Sequence, residues 1–237
     1  GINAFAMGAQ AVNPEAKVYV NKISTWGDEA KERQAAINLI DTYNCGVIGQ
    51  HCDSAQPQIA AQEKGVFGCG YNSDMTVQAP EAHLTAPIWN WDVYYKLAIE
   101  TAMNTPSEFM SKVGIYYGGL KEGLADISPL SDNCAEGTQE IIDTVKEMMA
   151  NGEWDVFTNV KLSIAQDGTI TKTEGALLDN QGNEVISADG STYFVYVHDE
   201  ETDTDILQAA EGGKDAQDSV IKGSMNYYVA GVEEING

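Results

Sequence analysis

Apolar residues recur at helical spacing through INAFAMGAQAV, which predicts a helix over about residues 2 to 12 that stops at Asn13-Pro14. KVYVNKI follows as a strand. Trp26-Gly27-Asp28 then reads as a turn, with Asp28 placed to cap a helix over DEAKERQAAINLIDTY. Within that helix Ala36, Ile37 and Ile40 share one face and the charges lie opposite. GVIGQH and VFGCGY read as short buried strands, and SAQPQIAAQEKG between them as a helix running from Ser54 to a glycine. Short apolar strands alternating with amphipathic helices predict an α/β arrangement: a parallel sheet covered on both faces.

Beyond the strand-like LTAPI, WDVYYKLAIETAMN has the pattern of a strong helix. GIYYGGLKEGLADI reads as a strand pair around Gly118-Gly119 and Gly123, and AEGTQEIIDTVKEMMANG as an acidic helix ending at Gly152. From residue 154 onward the character changes. KLSIAQDGTITKTEG, LLDNQGNEVI and SADGSTYFVYV set Asp-Gly and Gln-Gly-Asn turns between β-rich runs, which is hairpin chemistry. HDEETDTD reads as a solvated acidic loop, lacking the spaced ligands and central glycine of a calcium-binding EF-hand loop.

Ligands of open parallel sheets sit beyond the carboxyl ends of the strands. Three such ends carry polar or aromatic residues: Ser24-Thr25-Trp26, His51-Cys52-Asp53 and Asn72-Ser73-Asp74. One parallel sheet brings all three to the same edge. HLTAPIWNW adds Trp89 and Trp91 around Asn90. A core rarely needs two indoles so close together, because each N–H wants a partner, whereas a site that grips a flat ring does. Trp26 and Trp89 are the candidate stacking faces for a flat ring. Trp91 is read as packing of the next helix and Trp154 as a core residue at a helix end. Asp53 and Asp74 are candidate acceptors for N–H or O–H donors of a ligand, against a competing reading as helix N-caps that is strongest for Asp53. Lys121, in GGLKEG, is a further candidate to reach the cleft, against a solvated loop lysine; His83 and His198 read as surface or hinge residues.

Composition narrows the function classes. The 237 residues suffice for one large domain or two lobes, and 43% apolar with 21% charged residues is globular composition. No run approaches the roughly 18–20 apolar residues of a membrane span. A net charge of −23 opposes nucleic acid, whose phosphates need Lys and Arg, and opposes an anionic membrane surface. Cys45, Cys52, Cys69 and Cys134 form no CxxC pair and read as thiols at the ends of buried strands, with one disulfide between neighbouring strands left open. His51-Cys52-Asp53 sets three metal-ligand types side by side, but no metal or cofactor is expected. Neither a Gly-x-Ser-x-Gly elbow nor a P-loop occurs, and GCGYN lacks the further glycine of a dinucleotide fingerprint. The residues favour recognition over catalysis. The opening GINAFAMGAQ has no basic n-region or lipidation motif.

INAFAMGAQAVNPEAKV, TWGDEAKERQAAINLID, QHCDSAQPQIAAQEKGVFGCGYNSDM, HLTAPIWNWDVYY and YYGGLKEGLADISPL, in that order, resemble the basic membrane protein (BMP) family, the PnrA-like substrate-binding lipoproteins of bacterial ABC importers. The resemblance covers about residues 1 to 160 and the tail SMNYYVAGVEEI, and is loose between 160 and 215. It implies a type I periplasmic-binding-protein fold, two α/β lobes joined by three crossovers and closing on a ligand. Family members normally carry a signal peptide, a lipidated cysteine and most of the first lobe before the INAF segment. The expectation is therefore mostly the second lobe, with returning segments of the first and first-lobe ligand contacts supplied by the full-length protein. In this scheme residues 1–89 form the second-lobe α/β core, 90–112 the helix returning to the first lobe, and 113–237 the second-lobe completion with its hairpin-rich C-terminal segment.

The resemblance further implies an extracytoplasmic, membrane-anchored binding protein that serves an ABC permease and ATPase and takes a purine nucleobase or nucleoside. A ligand-sensing regulatory module of the same fold and a sugar-binding transport protein are the alternatives. Where the family usually has an Asp-x-Asp pair, this chain has Asn72 and Asp74, so only Asp74 keeps the carboxylate suited to ribose hydroxyls. Where many nucleoside-binding members carry Lys, this chain has Trp89. A ring replaces a charge there, which favours a flat heterocycle.

Overall fold

The computed structural model describes residues 1–210, 213 and 226–235. Ser224 and Met225 of the family-like tail lie outside the described residues. In chain order the first elements are α1 (Ile2–Val12), β1 (Val18–Asn21), α2 (Glu29–Tyr43), β2 (Val47–Gly49), α3 (Gln56–Glu63) and β3 (Phe67–Cys69). There follow β4 (Pro87–Trp89), α4 (Trp91–Asn104), α5 (Phe109–Lys112), β5 (Ala125–Ile127) and α6 (Thr138–Ala150). The remainder is β6 (Val160–Ile164), β7 (Ile170–Glu174), β8 (Leu177–Leu178), β9 (Glu184–Ile186), β10 (Phe194–Asp199), β11 (Thr204–Ala209) and β12 (Val232–Ile235). The chain divides into two compact units, one of Gly1–Val20 with Trp154–Ile235 and one built on Asn21–Glu153.

The unit built on Asn21–Glu153 is organised around α2, α3 and the parallel pair β2–β3. Asp28 caps α2 as the sequence predicts, its carboxylate accepting from the Lys31 N–H at 3.1 Å. Glu32, almost fully buried, returns to the same helix start and accepts from the Asp28 N–H at 2.9 Å. Its other oxygen accepts from the N–H of Ser54 at 3.2 Å and from the Ser54 hydroxyl. One carboxylate thus joins the start of α2 to the loop after β2. Ala36, Ile48, Ala60, Ala61, Ala79 and Ala82 form the core beneath, flanked by Ile37, Leu39, Ile40, Cys45 and Val66. Small side chains let α2 and α3 approach the strands closely. Gly68 shows the limit: a Cβ added there would lie 2.1 Å from Oε1 of the buried Gln58.

The sheet is smaller than the alternating pattern implies. β2 and β3 run parallel with Ile48 opposite Gly68, and parallel bridges Gly68–His83 and Asn72–Ile88 tie β3 to the segment that carries β4. β4 then pairs antiparallel with β5, Trp89 opposite Ala125. β1 is paired not with β2 but with β12. Among the described residues only the helical face of β2–β3 is covered: Ile48 is buried while Val47 and Phe67, which alternate to the other side, are 43% and 44% exposed.

Three further expectations change. GIYYGGLKEGLADI forms no strand pair; Leu124 donates back to the Gly119 carbonyl at 3.1 Å across a turn that Gly123 completes at φ +75°, and only β5 extends beyond it. His83 is fully buried, because its backbone is held by Gly68 and Ala79 on one side and by Ser131 and Asn133 on the other. Trp91 opens α4 but is more than half exposed, its ring stacking on Tyr95 one turn along at a centroid distance of 6.4 Å.

In the other unit, buried Asn3 of α1 donates to the Tyr227 carbonyl at 2.9 Å and accepts from the Val229 N–H at 3.0 Å. Ala6, Leu177, Val185, Ile186, Tyr227, Val229 and Val232 form its core. The expected hairpin chemistry yields the antiparallel pairs β6–β7 and β8–β9 and the antiparallel bridge Ile186–Tyr193 around Asp189-Gly190, while the pair β10–β11 was not expected. HDEETDTD is not a free loop, since its two ends are the paired residues of β10 and β11, with Asp199 opposite Thr204. Trp154 is half-buried and donates its Nε1–H to the Val160 carbonyl at 2.8 Å.

Glu32→Ala strands the N–H groups of Asp28 and Ser54. It is expected to lower the unfolding free energy by roughly 2–3 kcal/mol, read as a lower urea midpoint at unchanged slope.

Candidate functional site

Three loops leave the strand ends on one side of the Asn21–Glu153 unit, and hydrogen bonds fix them to one another. The Asp53 N–H donates to the Trp26 carbonyl at 2.8 Å, linking the loop after β1 to the loop after β2. Glu32 holds that same loop through Ser54. From beneath, Gln50 Nε2 donates to the carbonyls of Cys52 at 3.0 Å and Ser54 at 2.8 Å. Gln50 in turn accepts from Gln58 Nε2 at 3.0 Å, and the same amide reaches the Cys69 carbonyl at 3.0 Å. The strand ends therefore rest on a network of one glutamate and two glutamines.

On this base stands a row of rings. Trp26, 59% exposed, lies 5.2 Å from His51 between centroids, with the planes at 66°. His51 lies 4.4 Å from Tyr71 at 68°. Tyr71 leads into Asn72, whose side-chain oxygen accepts from the Trp89 indole N–H at 2.8 Å. Two residues of this edge, Ser24 and Asn72, have left-handed backbones at φ +53° and +63°. Such conformations cost energy in residues with a side chain and concentrate at functional sites.

The predicted site residues divide accordingly. Trp26, Asp53, Asn72 and Trp89 are brought into one connected edge. Asp53 is not a helix cap: α3 begins after Ala55, and the exposed Asp53 carboxylate makes no hydrogen bond among the described residues. Asp74 lies two residues beyond Asn72 and accepts from the Thr76 N–H at 2.8 Å and hydroxyl at 2.5 Å. Those bonds from Thr76 hold its carboxyl below the usual range, so it stays ionised. Behind it His83 Nε2 lies 3.5 Å away, and burial pushes that imidazole's pKa down. Lys121 stands apart, exposed on the Gly119–Gly123 turn, which Asn90 holds through the Gly123 carbonyl at 3.0 Å. From the sequence His51 is placed at this edge without a binding role, and Tyr71, Glu32, Gln50 and Gln58 are not singled out. The available signal was Gly68 inside a strand, which marks close approach of a neighbouring side chain, here Gln58.

Chemically the edge offers flat faces, carboxylates and amide oxygens. The Cys52 thiol beside it is pushed up to about 12, by burial first and the Glu32 carboxylate second, and so stays protonated. Among the described residues no three His, Cys, Asp or Glu side chains converge as a metal site. Also among them, no helix is long and apolar enough to cross a membrane.

Residues 1–156 match the family model for the PnrA-like ABC transporter substrate-binding protein. The chain belongs to this family. A purine-binding protein of Brucella abortus is 30% identical over 234 residues, covering 99% of this chain and 53% of that relative. A protein provisionally named as an ABC transporter glucose-binding protein, from Haloferax volcanii, is 30% identical over 186 residues, covering 78% of this chain and 46% of the relative. The chain spans about half the length of these curated relatives. A solved transcriptional activator of the comK gene from Bacillus halodurans shares the fold, with a TM-score of 0.50 at 12% identity over 65% of this chain and 64% of the other. Asn72 and Trp89 are bonded to each other through the amide oxygen and the indole N–H, a neutral pair at this edge.

A double-mutant cycle of Asn72→Ala and Trp89→Phe is expected to give a coupling of about 0.5–1.5 kcal/mol in unfolding free energy. Independent, additive effects would mean that the bond contributes nothing.

Proposed function

We propose that this PnrA-like chain is the ligand-binding part of an extracytoplasmic solute receptor for an ABC importer, and that its ligand is a flat purine-type ring held at the Trp26–Trp89 edge. The row of Trp26, His51 and Tyr71, continued through Asn72 to Trp89, carries this reading. Exposed indoles held by their neighbours offer stacking faces at small entropic cost. Asp53 and Asp74 would accept from ring N–H groups or ribose hydroxyls, with Lys121 an outer candidate. In this reading the chain supplies mostly the second lobe of a type I binding-protein fold, with returning segments of the first. A ligand caught at the edge shifts the equilibrium between open and closed lobes, which the permease and ATPase sense. The purine-binding relative supports the ligand class.

A sugar is the second reading. It is favoured by the two exposed carboxylates, which suit hydroxyl donors, and by the glucose-binding name of the other relative.

A thermal-shift panel of adenine, hypoxanthine, guanine, their nucleosides and glucose tests both. A ligand present at 100 times its dissociation constant stabilises by about 2.7 kcal/mol. The purine reading expects a base or nucleoside to raise the unfolding temperature and Trp26→Ala to abolish the rise. A shift with glucose alone would replace it with the sugar reading.

A further inference from the structure

We infer that His51 is a specificity-determining residue of this edge, reading the rim of a nitrogen heterocycle through its imidazole nitrogens and so selecting a free nucleobase over a sugar. The inference rests on the binding edge proposed above and adds a residue and a ligand class to it.

His51 sits at the middle of the ring row. Its plane is steeply inclined to both neighbours, at 66° to Trp26 and 68° to Tyr71, so it is flanked on two sides by rings rather than stacked flat on either. The residue remains exposed, and neither imidazole nitrogen has a hydrogen bond among the described residues. A histidine on an ordinary loop would sample several rotamers. This one is held at the backbone as well as at the ring. Gln50 on one side donates to the carbonyls of Cys52 and Ser54 on the other, Asp53 is bonded to Trp26, and Ser54 is bonded to buried Glu32. A polar head with no protein partner, held between aromatic side chains at the mouth of three strand ends, is the arrangement of a recognition group.

The chemistry selects the ligand class. A neutral imidazole presents one donor and one acceptor. The rim of a purine base alternates ring N–H groups, ring nitrogens and exocyclic oxygen or amine, so it can meet either nitrogen while its face meets Trp26. Hydroxyls of a sugar can also reach an imidazole, but a pyranose lacks the planar aromatic face and rim of a purine.

Calorimetric titration of the chain with hypoxanthine and with glucose tests this, using wild type, His51→Phe and His51→Asn. Phe keeps a flat ring between Trp26 and Tyr71 and removes both nitrogens; Asn restores a donor and an acceptor on a shorter side chain. The expected result is hypoxanthine binding to wild type, weakened about 10–100-fold in His51→Phe and partly recovered in His51→Asn. Unfolding midpoints without ligand should stay equal. Equal hypoxanthine affinity in wild type and His51→Phe overturns the role of His51 and leaves the purine reading standing. Glucose binding with no hypoxanthine binding to wild type overturns both.

Discussion

The buried carboxylate of Glu32 is the constraint on which the rest of the site depends. A buried carboxyl group is tolerated only when its oxygens find hydrogen-bond donors, and here the donors come from two places distant in sequence: Asp28 at the start of α2 and Ser54 after β2. The cost of burying it is offset only if both loops keep their positions. With Ser54 held, Asp53 reaches the Trp26 carbonyl, and Cys52 is left as a buried, protonated thiol. The exposed rings therefore owe their placement to a residue that no ligand would touch.

Gln58 performs the corresponding task one layer down. Its amide spans the parallel pair, reaching the carbonyl of Cys69 and the side chain of Gln50, which carries the constraint up to the loop. Gly68 leaves the room this needs. Backbone polar groups at the ends of short strands have no ladder to satisfy them, and glutamine side chains take that place. A sheet of three-residue strands can thus support a rigid edge, although only its helical face is covered.

The Asn72–Trp89 bond places a ring at the rim without adding charge. The amide oxygen accepts from the indole N–H and fixes the indole's orientation. Asn is also among the side chains that best tolerate the left-handed backbone found at position 72. Asn72 therefore suits its own backbone and anchors the neighbouring ring.

Much of this molecule is written locally, and that part is legible in the sequence. The Asp28 cap, the apolar face of α2 and the Asp-Gly hairpins depend on residues within a few positions of one another, so spacing alone predicts them. The family resemblance, matched by the family model over residues 1–156, was legible for the same reason, carried by contiguous motifs. Parallel topology led to the expectation that three strand ends share one edge; the loops bearing Trp26, Asp53, Asn72 and Trp89 are connected, although β1 pairs with β12 and lies outside the β2–β3 sheet. What only the tertiary structure decided are pairings between distant segments: β1 with β12, Glu32 with Ser54, His51 with Tyr71, and the burial of His83. Each depends on which backbone groups are left unsatisfied once the local elements have formed. Local spacing cannot specify that, because hydrogen bonds and packing between remote residues are settled by the whole fold at once.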